Sequence, residues 1–102
     1  MSIRVAIFDD NATRRDGVKL LLDTSEGFLC AGAFENFNNG IADIHSCNPD
    51  VIIMDIDMPG INGIEAVRMI KTNYPQLPVM MQTVFDHDDK VFDSILAGAS
   101  GY

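Results

Sequence analysis

Hydrophobic residues occur along the chain in four short runs, each bounded by polar or turn-forming residues. Their length and nearly continuous apolar character predict buried β-strands. The runs are Ile3 to Phe8, Phe28 to Phe34, Val51 to Met54 and Val79 to Gln82. After each run, apolar residues recur at helical spacing, which predicts helices with one apolar face. The residues with this spacing are Val18, Leu21 and Leu22, then Ile41 and Ile44, then Ala66, Val67 and Ile70, then Val91, Ile95 and Leu96.

The alternation of strands and helices favours an α/β fold built on a parallel sheet. Parallel strands need a crossover between them, and nearly continuous apolar strands need helices on both faces of the sheet. Asn62, with Glu65 three residues later, is typical of a capped helix start, and Tyr74-Pro75 is expected to end the same helix. Gly98 is expected to end the fourth helix. A chain of 102 residues without a flexible linker supports one domain.

The chain is acidic, because 7 Lys and Arg against 15 Asp and Glu give a formal net charge of −8. Duplex nucleic acid is bound through Lys and Arg, so this charge argues against direct binding of DNA or of an anionic membrane. No apolar run is long enough to span a bilayer and no secretory signal pattern is present, which predicts a cytoplasmic protein. Cys30 and Cys47 are expected to be buried free thiols.

Acidic and hydroxyl side chains stand at the carboxyl ends of the predicted strands. Asp9 and Asp10 follow the first strand, Asp55 follows the third and Thr83 follows the fourth. Carboxyl ends of parallel strands share one edge of the sheet, where ligands of open α/β sheets bind, so these side chains are expected to converge. Three carboxylates together repel one another unless a cation is present. Mg2+ prefers oxygen ligands and is commonly held by carboxylates plus phosphate, so the pattern predicts a Mg2+ site.

A carboxylate next to Mg2+ can attack phosphorus and form an aspartyl phosphate. Asp55 stands alone at its strand end and is the better candidate for the nucleophile, whereas the adjacent Asp9 and Asp10 suit metal binding. The hydroxyl of Thr83 can donate a hydrogen bond to a phosphoryl oxygen. Any one of these acids could instead be a helix cap or a solvated turn residue. Their combination at matching strand ends favours a functional site.

Four segments resemble the receiver domain of two-component response regulators, in particular receivers linked to LuxR-type DNA-binding domains. They are VAIFDDN (5–11), PDVIIMDIDMPGINGIEAVRMIK (49–71), LPVMMQTVFD (77–86) and ILAGASGY (95–102). The resemblance implies a doubly wound, flavodoxin-like fold of three layers across residues 1–102. It also implies C-terminal truncation, since the sequence stops at Tyr102, before the family's active-site lysine, most of the last strand and the last helix.

The resemblance also implies how the acidic residues are used. A histidine kinase would transfer its phosphoryl group to Asp55 in a Mg2+-dependent reaction that the receiver itself promotes. Asp10 and Asp55 would bind Mg2+ directly. Asp57 would contribute its backbone carbonyl, and Asp9 would act mainly through water.

The resemblance further implies that phosphorylation is used for signalling. Thr83 and Tyr102 match the family's hydroxyl and aromatic positions, whose coupled movement would switch an output domain, expected to be a transcriptional regulator. The chain would be no enzyme beyond promoting its own phosphorylation and dephosphorylation. DNA would be bound only through a C-terminal output domain outside this sequence, and phosphorylation could also promote a homodimer.

Two other functions stay open. One is a pseudo-receiver that binds partners without being phosphorylated. The other is a haloacid-dehalogenase-like phosphohydrolase, because Asp55-Ile56-Asp57 resembles the Asp-x-Asp motif of those enzymes. Against it, Pro59 stands where that motif usually has Thr or Val, and a chain of 102 residues leaves little room for substrate recognition.

Basic and sulfur-containing side chains have simpler interpretations. Arg14, Arg15 and Lys19 form a basic patch on the first predicted helix, which is either a solvated face or a kinase-docking surface. The methionines of the predicted strands and helices are expected to pack in the core. They are Met54, Met69, Met80 and Met81.

Overall fold

The computed structural model describes residues 2–82, and strands and helices alternate through this range. The strands are β1 (Ile3–Phe8), β2 (Phe28–Phe34), β3 (Val51–Asp55) and β4 (Val79–Gln82). The helices are α1 (Ala12–Asp23), α2 (Gly40–Cys47) and α3 (Gly63–Asn73). All four predicted strands are confirmed, although Asp55 is the last residue of β3 and does not merely follow it. The fourth predicted helix, with Gly98, lies outside the described residues.

The four strands form one parallel sheet in the order β2-β1-β3-β4. Helix α1 packs against β1 and β2, whereas α2 and α3 pack against β2 and β3 and against each other. This confirms the predicted α/β class and its doubly wound parallel sheet. Because β1 and β3 are neighbours in the centre, the residues that end them lie side by side. Within residues 2–82, no helix has both the length and the apolar character that crossing a membrane requires.

Most of the core lies between the sheet and helices α2 and α3. Side chains alternate across a strand, so every second residue of β1, β3 and β4 points to this face. Phe8 is fully buried there, with its ring 5.0 Å from that of Phe34 and 5.0 Å from that of Phe37. The other buried members include Ala6, Ile44, Ile52, Met54, Ala66, Val67, Ile70, Val79 and Met81.

Helix α3 is bounded as its sequence predicts. The side-chain oxygen of Asn62 accepts a hydrogen bond from the backbone N–H of Glu65 at 2.9 Å, and the Asn62 amide donates to Glu65 Oε1 at 3.1 Å. The helix ends at Asn73, with Tyr74 as the C-cap before Pro75. Asn62 thereby satisfies a backbone donor that the first turn of a helix otherwise leaves without a partner.

Helix α1 departs from the prediction of a buried apolar face. None of its residues is buried, Leu21 is 65% exposed, and Val18 and Leu22 are only half-buried. The spacing of apolar residues predicts the helix correctly. It does not determine how much of the apolar face other elements cover.

Four side chains predicted to be buried are more exposed than expected. Met69 and Met80 are 39% and 41% exposed, whereas the other two predicted core methionines are buried. Cys30 and Cys47 are free thiols, as predicted, but both are half-buried. Their partial burial is still sufficient to raise the pKa of each thiol.

Candidate functional site

The carboxylates of Asp9, Asp10 and Asp55 meet at the carboxyl edge of the sheet, where β1 and β3 end. One oxygen atom from each lies within 4.8 Å of the other two. Asp9 is fully buried, Asp55 is 3% exposed and Asp10 is exposed. The structure thus brings together three of the four residues predicted to converge. The fourth, Thr83, lies outside the described residues.

Backbone contacts fix the two buried acids. The backbone N–H of Asp9 donates to the carbonyl oxygen of Phe34 at 3.0 Å, which holds Asp9 against the end of β2. Gly63, the first residue of α3, donates its N–H to the carbonyl oxygen of Ile56 at 2.8 Å. It approaches Asp55 so closely that a Cβ at residue 63 would lie 2.1 Å from the Asp55 carbonyl oxygen. The absence of a side chain at Gly63 therefore lets α3 begin directly against the last residue of β3.

The loop between β3 and α3 contains a second glycine with a conformational role. Gly60 has a φ of +78°, in the left-handed region that other residues rarely adopt. Asp57 lies in the same loop and is exposed, two residues after Asp55. The loop thus carries the chain from the carboxyl edge of the sheet back to the start of α3.

The ionisation of Asp55 is strongly affected by its surroundings. Burial raises the pKa of Asp55 to about 7, and a side-chain hydrogen bond with Asp10 and the negative charge of Asp9 act in the same direction. The guanidinium of Arg14 opposes them. A pKa near neutrality means that a cation entering the cluster would draw the Asp55 carboxyl towards its ionised form.

Arg14 is a member of this cluster that was not predicted from the sequence. Its Nε donates to Asp9 Oδ2 at 2.5 Å, and its Nη2 donates to Asp9 Oδ1 at 2.8 Å and to Asp55 Oδ2 at 3.1 Å. Arg15 also points to this edge, with Nη1 donating to the backbone carbonyl oxygen of Asp9 at 2.8 Å. The alternative of a solvated face is therefore wrong for Arg14, whereas the alternative of a kinase-docking surface stays a prediction. Lys19 remains exposed.

Gln82 is the second residue of the site that was missed. Its Nε2 donates to Asp9 Oδ2 at 2.8 Å. Gln82 ends β4 and pairs in register with Asp55 of β3, so the same strand-end reasoning that selected Thr83 could have selected it. For Arg14 the available signal was its place in the first turn of the helix that follows Asp9.

The donor set fits a hard divalent cation. Three carboxylates supply only oxygen atoms, and the exposed Asp10 leaves one side of the cluster open to water and phosphate. Mg2+ prefers such a partial protein shell to a closed cage. Fold and site together define an α/β protein with a cluster of acidic side chains at the carboxyl edge of its parallel sheet.

Comparison with known proteins identifies the family. The family model described as the response regulator receiver domain matches residues 5–102. The chain belongs to this family. It is 37% identical over 100 residues to the transcriptional regulatory protein DegU of Brevibacillus brevis, a match that covers 98% of this chain and 42% of DegU. It is 34% identical over 102 residues to the response regulator protein VraR of Staphylococcus aureus, covering 100% of this chain and 49% of VraR.

Solved structures agree with this assignment. The response regulator domain of Thermotoga maritima CheB matches with a TM-score of 0.90 and 28% sequence identity, over 99% of this chain and 76% of that domain. The chain spans less than half the length of the curated relatives DegU and VraR. It is therefore similar to one part of each, the part that corresponds to a receiver domain.

Proposed function

We propose that this chain is a phosphoacceptor that receives a phosphoryl group from a histidine kinase on Asp55. The observation that supports this most directly is the burial of Asp55 at the end of the central strand β3, with carboxylate oxygens of Asp9 and Asp10 within 4.8 Å. Isolated buried acids are costly, and such a cluster becomes favourable when a divalent cation joins it.

The acidic residues have different roles toward Mg2+, and these roles follow from the family resemblance. Asp10 and Asp55 would provide carboxylate oxygens for Mg2+, Asp57 would provide its backbone carbonyl, and Asp9 would act mainly through water. The hydrogen bonds that Asp9 already accepts support its indirect role. When bound, Mg2+ neutralises charge on the transferring phosphoryl group.

Asp55 acts in its ionised form. A carboxylate oxygen of Asp55 attacks the phosphorus of the kinase's phosphohistidine, so that an O–P bond forms while the P–N bond breaks. The leaving imidazole retains the bonding pair and takes up a proton from solvent. Because the pKa of Asp55 is raised to about 7, its proton must leave before the attack, and a divalent cation among the carboxylates favours that loss.

The phosphorylated state is read out by an output domain. In this proposal the hydroxyl of Thr83 contacts the phosphoryl group, and the ring of Tyr102 moves together with Thr83. Both residues lie outside the described residues, and their roles come from the family resemblance. The names of DegU and VraR describe a transcriptional regulatory protein and a response regulator. By analogy, we assign this chain a role in regulating transcription, with DNA bound by another domain and with phosphorylation promoting a homodimer.

Phosphorylation with acetyl phosphate and Mg2+ tests the proposal on the full-length protein. We expect one acid-stable, hydroxylamine-sensitive phosphoryl group that maps to Asp55 and disappears in Asp55→Asn. Asp16→Asn is the matched control, because Asp16 is an exposed acid of α1. No label on Asp55 would overturn the phosphoacceptor role in favour of a pseudo-receiver, and repeated turnover of small phosphate esters would instead support the phosphohydrolase.

A further inference from the structure

The guanidinium of Arg14 lies among the same carboxylates that the proposed function gives to Mg2+. It binds both oxygens of Asp9 as a two-pronged ion pair and extends to Asp55 Oδ2. The start of α1 sets this position, because Asn11 caps the helix by accepting a hydrogen bond from the Arg14 backbone N–H at 2.9 Å. The capped first turn thus places Arg14 within reach of Asp9, the residue that follows β1.

Asp9 has no acceptor position left for another ligand. Oδ1 accepts from Arg14 Nη2 at 2.8 Å and from the backbone N–H of Asn11 at 2.9 Å. Oδ2 accepts from Arg14 Nε at 2.5 Å and from Gln82 Nε2 at 2.8 Å. A carboxylate offers about four lone-pair sites in all. A water or metal ion that approaches Asp9 must therefore displace one of these donors.

Arg14 is the donor that can leave. Its side chain is 25% exposed, against 1% for that of Asp9, so the guanidinium can reach solvent without unfolding of the sheet. The Asn11 donor is a backbone N–H, and the half-buried Gln82 is fixed through its backbone by the pairing of β4 with β3. A guanidinium and a divalent cation within the same few ångströms also repel each other.

We propose that Arg14 is a built-in counter-cation that competes with Mg2+ for the carboxylates of Asp9 and Asp55, and so sets the Mg2+ concentration at which the site becomes competent. The inference rests on the proposed function, because it assumes that these carboxylates bind Mg2+. In this role Arg14 is a regulatory residue that acts through the carboxylates. Release of the guanidinium from Asp9 is a necessary part of metal binding.

Mg2+ titration calorimetry of the full-length protein at pH 7 tests the competition. A charge-assisted pair has a net strength that corresponds to about a tenfold change in affinity, so Arg14→Met should bind Mg2+ about tenfold more tightly than the wild type. Arg14→Lys retains the positive charge but cannot bind both oxygens of Asp9 through a planar guanidinium. Its Mg2+ affinity should therefore lie between those of the wild type and Arg14→Met. Arg68→Met is the control, because Arg68 is exposed on α3 and its loss changes the net charge equally.

Equal Mg2+ affinities for wild type and Arg14→Met would overturn the inference. If both were also phosphorylated on Asp55, the proposed function would still stand. If neither bound Mg2+, the metal-dependent proposed function would fall as well. A gain in affinity confined to the two Arg14 variants would support the competition.

A measurement on the unaltered protein is needed because removal of Arg14 leaves Asp9 buried without its partner and can unfold the variant. The Nε–H of Arg14 gives its own nitrogen–proton NMR signal, which Arg14→Lys identifies by its loss. We expect this signal to shift and to lose its protection from solvent exchange as Mg2+ is added. A signal that stays unchanged when Mg2+ saturates the site would overturn the inference.

Discussion

Gly63 and Asp55 meet backbone to backbone at the point where β3 passes the start of α3. A Cβ atom added at residue 63 would lie 2.1 Å from the carbonyl oxygen and 2.8 Å from the carbonyl carbon of Asp55. Neither partner is a flexible side chain that could move aside. The position of the proposed phosphoacceptor therefore depends on a residue whose own chemistry plays no part in the reaction.

Gly63→Ala should destabilise the protein. The added methyl group forces α3 away from β3, and overpacking of this kind typically costs about 1–3 kcal/mol. Urea unfolding measures the loss, and Gly17→Ala is the control, because Gly17 is helical and its Cβ would meet no atom within 4 Å. Gly17→Ala should stabilise α1 by up to about 1 kcal/mol. Equal stability of the two variants would contradict the close approach at Gly63.

The raised pKa of Asp55 predicts how stability depends on pH in metal-free buffer. The pKa is about 7 in the folded protein against an ordinary value of 3.8, so the folded state binds the proton more tightly. The tighter proton binding stabilises the folded state fully below pH 3.8, and this stabilisation is lost as the pH rises through 7. The free energy of unfolding lost in this way is at most about 4 kcal/mol.

Asp55→Asn replaces this carboxyl by a neutral group of the same shape. It should be more stable than the wild type at pH 8, and the difference should shrink as the pH falls towards 4. Thermal unfolding of the wild type and of Asp55→Asn between pH 4 and pH 8, with a chelator present, gives the stability of each protein as a function of pH. Parallel curves would show that Asp55 ionises normally and would contradict the effect of burial.

The N-cap residue Asn62 should stabilise the protein measurably through its hydrogen bond at the start of α3. Asn62→Ala removes the hydrogen bond that the side chain accepts from the Glu65 backbone, at a typical cost of about 1 kcal/mol. Asn39→Ala is a matched control, because Asn39 is the N-cap of α2 but makes no side-chain capping bond. Chemical unfolding should show a clear loss for Asn62→Ala and a smaller one for Asn39→Ala. The reverse order would count against this assignment of the cap.

Apolar residues of α1 and α3 should respond differently to substitution. Leu21 is 65% exposed, so Leu21→Gln should change the free energy of unfolding by less than about 0.5 kcal/mol. Ile70 is fully buried, and Ile70→Ala should cost about 2–5 kcal/mol. Urea unfolding of both variants measures the two changes. A large loss of stability for Leu21→Gln would mean that other parts of the protein cover the apolar face of α1.

Hydrophobic spacing and strand-end reasoning predicted much of the fold and part of the site. Strands and helices follow from local periodicity, and the meeting of Asp9 with Asp55 follows from the rule that parallel strands end at one edge. The sequence indicates that Arg14 lies in the first turn after Asp9, but spacing along a helix does not determine the direction of a long side chain, so the contact with Asp9 was missed. The exposure of Leu21 escaped prediction for a related reason, since burial depends on which elements cover a face.

Helix α1, with no buried residue, has a consequence for motion at the site. Elements with little buried apolar contact open locally at low free-energy cost, so the amide hydrogens of α1 should exchange with solvent sooner than those of α3. Asp55 belongs to a central strand, whereas Arg14 belongs to the helix that has no buried residue. Local opening of α1 would therefore move the Arg14 guanidinium away from the carboxylates while the backbone of Asp55 stays in place.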